Sequence, residues 1–192
     1  ALNTRRYIKI RNGKHPLLKS ESTVPLNIEF GGDTKGVIIT GPNTGGKTVA
    51  LKTIGLLSVM ACCGLHIPCE DADLAMNADV FCDIGDGQSI AENLSTFSSH
   101  IKNIIRILEK ADEESLILLD ELGSGTDPAE GMGIAVAVLE ELRRKGCLFV
   151  VTTHYPEVKE YGERAEGVIN ARMAFDKESL KPLYRLELGE AG

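Results

Sequence analysis

Residues 41–48 are Gly41-Pro42-Asn43-Thr44-Gly45-Gly46-Lys47-Thr48 and fit the pattern G-x-x-x-x-G-K-[ST]. An apolar run, Val37-Thr40, precedes them, and apolar residues at helical spacing follow. In a strand, glycine-rich turn and helix of this order, backbone N–H groups and the helix N-terminus hold phosphate oxygens. We therefore predict a P-loop in which Lys47 meets the β and γ phosphates and the Thr48 hydroxyl ligates magnesium. The whole stretch and the next residue, Val49, are expected to contact the nucleotide.

Apolar runs that alternate with helical patterns predict an α/β fold. Strands are predicted at Tyr7-Ile10, Leu26-Phe30, Val37-Thr40, Val80-Asp83, Leu116-Asp120 and Leu148-Thr152. Helices are predicted at Lys47-Cys63, Ser98-Lys110 and Ala129-Lys145, the last capped by Asp127 with a proline at its first position. This alternation implies a mostly parallel sheet flanked by helices. Val168-Phe175 and Leu183-Leu188 are expected to form an antiparallel pair at an edge of the sheet.

Length and composition favour a single domain. The 192 residues, 43% of them hydrophobic, can bury one substantial core. We expect leading strands in residues 1–35, a nucleotide-binding core in 36–155 and C-terminal antiparallel strands in 156–192. The net charge of -7 argues against a broad nucleic-acid platform here, so DNA contacts are expected elsewhere. The lack of a signal-peptide pattern and of a long apolar stretch predicts a cytoplasmic protein with no membrane contact.

Two acids end the apolar run Leu116-Asp120. Asp120 is expected beside the P-loop, where its carboxylate can hold magnesium through water. Glu121 follows directly and is placed to orient or deprotonate the attacking water. An apolar strand that ends in Asp-Glu is usually only a strand end. After a P-loop, however, it favours a hydrolase over a passive nucleotide sensor.

A histidine follows the next apolar strand, in Val150-Val151-Thr152-Thr153-His154. The carboxyl ends of parallel strands border the ligand crevice of an α/β sheet. His154 could therefore sense the γ-phosphate or the water. A single histidine is more often structural, but its place after the two acids favours the functional interpretation.

Together, these stretches resemble the ATPase domain of MutS proteins, which are relatives of the ABC ATPases. The likeness rests on residues 41–48, on Asp120-Glu121-Leu122-Gly123-Ser124-Gly125-Thr126 and on Thr153-His154-Tyr155, and it runs from about His15 to the end of the chain. The stretches DIGDGQSI at 83–90 and LSTFSSH at 94–100 are most similar to the second bacterial MutS group, which is associated with recombination control and ribosome rescue. The implied fold is a P-loop NTPase of the ABC/MutS type. The transporter signature LSGGQ is absent from the sequence.

The resemblance implies further roles for individual residues. Asn43 would help to place the water on which Glu121 acts, and Ser95 would reach the γ-phosphate bound by the opposite subunit of a homodimer. Ser95 could equally be an ordinary helix cap, and the two roles can coexist. Gln88 is a weaker candidate, as a counterpart of the ABC glutamine loop.

The adenine contact departs from the family pattern. In mismatch-repair relatives an aromatic residue upstream of the P-loop stacks on adenine, whereas residues 21–25 contain no aromatic side chain. We expect Val24 and Pro25 to contact the base instead. The sequence thus leaves base selectivity open.

The resemblance also implies partners. The chain resembles a piece excised from a longer protein, whose other regions would bind branched or mismatched DNA, or the ribosome; no nuclease activity is expected of these residues. The favoured function is an ATPase motor that uses ATP and Mg²⁺ and couples nucleotide state to a nucleic-acid clamp through dimerisation. The alternative is a regulatory module that binds nucleotide and turns it over slowly. A nucleotide kinase is remote, because the lid arginines expected after the P-loop are missing.

Overall fold

The computed structural model describes residues 1–19, 23–42, 45–85, 93–176, 178–179 and 181–189, with the side chains of 93–96 excepted. Within these ranges the strands are β1 (Leu2–Asn3), β2 (Tyr7–Gly13), β3 (Leu26–Gly31), β4 (Gly36–Thr40), β5 (Asp71–Ala75), β6 (Asp79–Asp83), β7 (Ser115–Leu119), β8 (Leu148–Thr152), β9 (Val168–Asp176) and β10 (Lys181–Leu188). The helices are α1 (Lys47–Cys62), α2 (Asn93–Lys110), α3 (Pro128–Lys145) and α4 (Pro156–Arg164).

A six-stranded sheet forms the centre of the molecule, in the order β10-β9-β4-β8-β7-β6. Every pairing from β9 to β6 is parallel, and β10 joins the edge antiparallel to β9. Strands β4, β7 and β8 are buried throughout, because helices or a second sheet cover both faces. The predicted parallel sheet with an antiparallel edge is therefore confirmed.

Two apolar clusters lie on opposite faces of this sheet. One contains side chains of α1, such as Leu51 and Leu57, together with the inward-facing residues of β2 and β3. The other contains Ile104 of α2, Leu139 of α3 and Val158 of α4. The sheet is thus sandwiched, and its upper edge, where β4, β7 and β8 end, is left for ligands.

A smaller sheet, in the order β1-β5-β2-β3, covers α1 on one side. Its strand β5 was not predicted; Asp and Ala, which make up most of Asp71-Ala72-Asp73-Leu74-Ala75, have weak β-propensity. Those acids lie opposite basic residues of β2: Lys9 pairs in register with Asp73, and Arg11 with Asp71. The Asp73 carboxylate itself accepts from Arg5 Nη2 at 2.6 Å and from Asn3 Nδ2 at 2.9 Å, which ties β5 to the segment between β1 and β2.

Two helices differ from the sequence prediction. Helix α2 begins at Asn93, five residues before the predicted start at Ser98. Helix α4 was not predicted; it begins with Pro156 at its first position and buries Val158. The predicted start of α3 is confirmed, since the Asp127 side chain accepts hydrogen bonds from the backbone N–H of Ala129 and Glu130. None of the helices in the described ranges has the length and apolarity needed to span a bilayer.

Candidate nucleotide site

In the turn after β4, the described glycines at both ends have backbone angles that let the chain turn sharply. Gly41 has φ 125° and Gly46 φ 87°, values that favour glycine. A Cβ atom on Gly45 would lie 3.1 Å from the Met173 side chain, so the loop packs closely on β9. Helix α1 then starts with no side-chain cap and no acid in its first turn. Its first N–H groups and the positive end of its dipole are therefore suited to an anion.

Lys47, the first residue of α1, is 2% exposed. Its Nζ donates to the carbonyl of Gly41 and, at 3.4 Å, to that of Thr153. Burial lowers the pKa of Lys47 below its ordinary 10.5, and the nearby carboxylates of Glu121 and Asp120 partly oppose that shift. The ammonium group thus lies inside the loop, between the ends of β4 and β8.

Asp120 follows β7 directly and meets the P-loop helix. Its Oδ2 accepts a hydrogen bond from Thr48 Oγ1 at 2.7 Å. Its backbone N–H donates at 2.9 Å to the carbonyl of Asp83 at the end of β6. The structure thus brings together Thr48 and Asp120, the two residues predicted to bind magnesium.

Glu121 lies beyond Asp120 in a sparsely populated backbone conformation. Its φ is 49°, which for a residue other than glycine costs of order 1 kcal/mol. The backbone N–H of Glu121 donates to Thr152 Oγ1 at 2.8 Å, and its carbonyl accepts from the N–H of Ser124 at 3.0 Å. Such strain is typical of functional sites, where the surroundings hold it in place.

His154 is exposed beside this loop. Its Nδ1 lies 3.5 Å from Ser124 Oγ, and its ring packs against that of Tyr155 with the centroids 4.4 Å apart. The buried Tyr155 hydroxyl donates to the carbonyl of Gly123 at 3.0 Å. The segment after β8 is therefore attached to the loop after Glu121, and His154 faces solvent at the edge of the site.

A cavity of about 120 Å³ lies on the other side of the two acids, between them and α2. The Asp83 carboxylate borders it and bonds to His100 Nδ1 at 2.6 Å and to Asn103 Nδ2 at 2.7 Å. These contacts join the end of β6 to α2. The sequence prediction had not assigned a role to His100 or Asn103.

An apolar pocket of about 320 Å³ opens beside the start of α1. It is lined by Gly13, His15, Leu18, Thr23, Val24, Leu26, Gly46, Val49, Ala50, Thr53, Met173 and Tyr184. Val24 and Val49, two predicted nucleotide contacts, are thus brought together. Pro25, although next to Val24, is not one of the residues that line the pocket.

Tyr184 supplies an aromatic ring that the sequence prediction missed. It lies where the β9–β10 pairing shifts register, and its φ is 54°. The ring is half exposed, and a Cβ atom on Gly46 would lie 3.0 Å from its Cδ1. Pairing between β9 and β10, far downstream, places this ring at the P-loop. The sequence signal was a single aromatic residue in the last predicted strand.

The remaining predicted residues lie in or next to segments outside the described ranges. Asn43, Thr44 and Gln88 lie outside the described residues. Ser95 is the third residue of α2, within its first turn, but its side chain is not described. Pro42, which is exposed, accepts a hydrogen bond from the N–H of Gly45 at 3.0 Å within the loop.

Comparison with known proteins agrees with this geometry. Residues 37–191 match the family MutS domain V. The whole chain is 55% identical to "Endonuclease MutS2" of Halalkalibacterium halodurans, 54% to that of Geobacillus kaustophilus and 51% to that of Caldanaerobacter subterraneus. It covers 24%, 25% and 24% of those proteins, so the chain spans about a quarter of the length of these relatives. Their shared name supports the predicted branch. The chain therefore belongs to the MutS family, as an ATPase-type domain V.

Proposed function

We propose that this domain binds MgATP and hydrolyses it. One observation carries the proposal: the hydrogen bond of 2.7 Å between Thr48, at the start of α1, and Asp120, at the end of β7. It joins two motifs that are far apart in the chain at the point where the γ-phosphate of a nucleotide on the P-loop would lie. Lys47 and Glu121 are adjacent to it. An ammonium, a hydroxyl and two carboxylates around one phosphate position are suited to phosphoryl transfer to water.

The residues present fit a magnesium ion. Mg²⁺ prefers oxygen ligands and usually takes one or two from the protein, with phosphate and water oxygens completing its shell. Thr48 Oγ1 would supply one such oxygen, and the Asp120 carboxylate beside it would hold the ion through water. Bound there, the ion would neutralise charge that develops on the β and γ phosphate oxygens.

In this mechanism each side chain acts on a different part of the reaction. The Lys47 ammonium donates to the phosphate oxygens in exchange for its present carbonyl partners. Glu121 accepts a proton from the attacking water, and Asn43 helps to place that water. His154, exposed beside Ser124, can donate to the γ-phosphate or to the water once nucleotide binds.

The apolar pocket is the proposed site of the adenine base. Tyr184 offers a ring face for stacking, and Val24 and Val49 offer apolar contact. Their position next to Gly46 is continuous with the P-loop, so base and phosphates can be bound together. The pocket thus supplies the aromatic contact that residues 21–25 lack.

Coupling to other parts of the protein is proposed from family membership. A helix N-terminus and a serine form an anion site, so Ser95 on α2 would complete the partner subunit's site in a homodimer. Nucleotide state would then control binding of branched or mismatched DNA, or of the ribosome, by regions outside this domain. The word "Endonuclease" belongs to the relatives, and we assign no nucleic-acid cleavage to these residues.

The test replaces Glu121 with glutamine, which keeps the shape of the side chain and removes its basicity. We expect ATP affinity within about threefold of wild type and single-turnover hydrolysis at least about 100-fold slower, since general-base catalysis is worth 10²–10⁴-fold. Glu113→Gln, an exposed acid before β7, is the matched control. Wild-type protein that binds ATP without releasing phosphate would favour the slow-turnover regulatory module. A Glu121→Gln variant that hydrolyses normally would show that the water is activated elsewhere.

A further inference from the structure

Thr152, the last residue of β8, contacts both acids of the site. Its Oγ1 donates to Asp120 Oδ1 at 2.5 Å and accepts from the backbone N–H of Glu121 at 2.8 Å. Its carbonyl accepts from the N–H of Leu122 at 2.9 Å. One residue of β8 thus fixes three consecutive residues after β7.

The position of this hydroxyl is itself fixed. Thr152 is fully buried and paired in register with Ile39 of β4. A β-branched side chain has few χ1 rotamers available, and its surroundings restrict it further. The hydroxyl uses its single proton for Asp120 and a lone pair for the Glu121 N–H. Removing it would leave a buried donor without its partner and a carboxylate oxygen free to turn.

Each of the two hydrogen bonds has a separate consequence. The bond to Oδ1 orients the Asp120 carboxylate so that Oδ2 faces Thr48, which is the orientation needed to hold the ion. The bond from the Glu121 N–H supports the backbone at φ 49°, which sets the direction of the Glu121 side chain. The distance between the metal ligand and the base therefore depends on Thr152.

We propose that Thr152 is a positioning residue for hydrolysis: its single hydroxyl holds the Asp120 carboxylate and the Glu121 backbone in fixed positions relative to each other. The inference rests on the proposed function, since it assigns Thr152 to the same site. It extends that function because the sequence motifs assign Thr152 only to the end of a strand. It also gives β8 a second role besides leading to His154, because movement at the end of β8 would displace Glu121 and Asp120 together.

The test compares Thr152→Val, which keeps the shape and loses the hydroxyl, with Thr152→Ser, which keeps the hydroxyl. Partners that orient ligands and bases typically contribute 10–100-fold. We expect Thr152→Val to lower kcat about 10–100-fold and to raise the Mg²⁺ concentration for half-maximal rate about 10-fold, with the KM for ATP at saturating Mg²⁺ within about threefold of wild type. Thr152→Ser should restore both quantities to within about threefold. Val150→Ala, which is buried on the same strand and pairs in register with Leu118, controls for lost stability.

Each outcome decides the matter. Equal kcat and Mg²⁺ dependence in Thr152→Val and wild type would overturn the inference while leaving the proposed function intact. Failure of wild-type protein to hydrolyse ATP would instead overturn the proposed function. If Thr152→Ser is as impaired as Thr152→Val, or if Val150→Ala shows the same Mg²⁺ shift, the effect is general destabilisation and the inference is wrong. The same conclusion holds if Thr152→Val does not fold although Val150→Ala does.

Discussion

Replacing Tyr184 with glycine separates the stability of β10 from the binding of the base. The backbone of Tyr184 has φ 54°, a conformation that costs an L-residue about 1–2 kcal/mol and costs glycine almost nothing. Glycine in turn loses about 0.5–1 kcal/mol to its freedom in the unfolded chain. The two effects nearly cancel, so the free energy of unfolding should change by less than about 1 kcal/mol.

The binding effect should be larger than the stability effect. Stacking of a base on an aromatic side chain is worth about 1–3 kcal/mol. Tyr184 as a residue is 50% exposed and packs only partly against its surroundings, so we take the lower half of that range. We expect ATP affinity to fall about 5–30-fold, since 1.4 kcal/mol corresponds to a factor of ten. The loss should be smaller for inorganic triphosphate, which has no base.

The assay is titration calorimetry with ATP and with triphosphate, together with urea unfolding of each variant. Tyr184→Phe keeps the ring and should bind ATP within about twofold of wild type, because stacking needs no hydroxyl. Leu183→Ala, the exposed neighbour that does not line the pocket, is the second control. If Tyr184→Gly binds ATP as wild type does, or loses as much triphosphate affinity as ATP affinity, the pocket does not hold the base.

Two further predictions concern pH and the partner subunit. Because burial lowers the pKa of Lys47 below 10.5, ATP affinity should decline with rising pH before that value is reached. In the unfolded chain Lys47 keeps its ordinary pKa, so between the lowered pKa of the folded state and 10.5 the unfolded chain binds more protons than the folded one. The free energy of unfolding of the nucleotide-free domain should therefore rise with pH across that range. Calorimetry in which the ATP affinity and the free energy of unfolding both fall across this range would contradict the assignment to Lys47. Lys47→Ala and Ser95→Ala proteins should each be inactive alone. When they are mixed and their subunits exchange freely, about half of the dimers are mixed and each mixed dimer has one intact site, so single-turnover hydrolysis should recover about a quarter of the wild-type sites. No recovery in a mixture shown to contain mixed dimers with independent sites would exclude a shared site.

The P-loop and the two acids could be predicted from the sequence because each is a local pattern. A glycine-rich turn between a strand and a helix specifies its own backbone, and a short continuous apolar run such as Leu116-Leu119 is typical of an inner strand of a covered sheet. Once the strands are parallel, their carboxyl ends meet at one edge. The meeting of Thr48 with Asp120, which the structure shows at 2.7 Å, follows from that topology.

Tyr184, Thr152 and strand β5 could not be predicted, because their roles depend on partners distant in the chain. Strand β5 is held by its pairing with β2 and by the hydrogen bonds that the Asp73 carboxylate accepts from Asn3 and Arg5. Tyr184 reaches the P-loop because the β9–β10 register shifts beside it, and Thr152 reaches both acids because β8 lies next to β7. The sequence by itself determined the fold class and the residues suited to phosphate chemistry, since local propensity and burial pattern are encoded residue by residue. Only the tertiary structure decided which side chains lie around the two acids and which line the pocket proposed for the base, since strand pairing and packing set those distances.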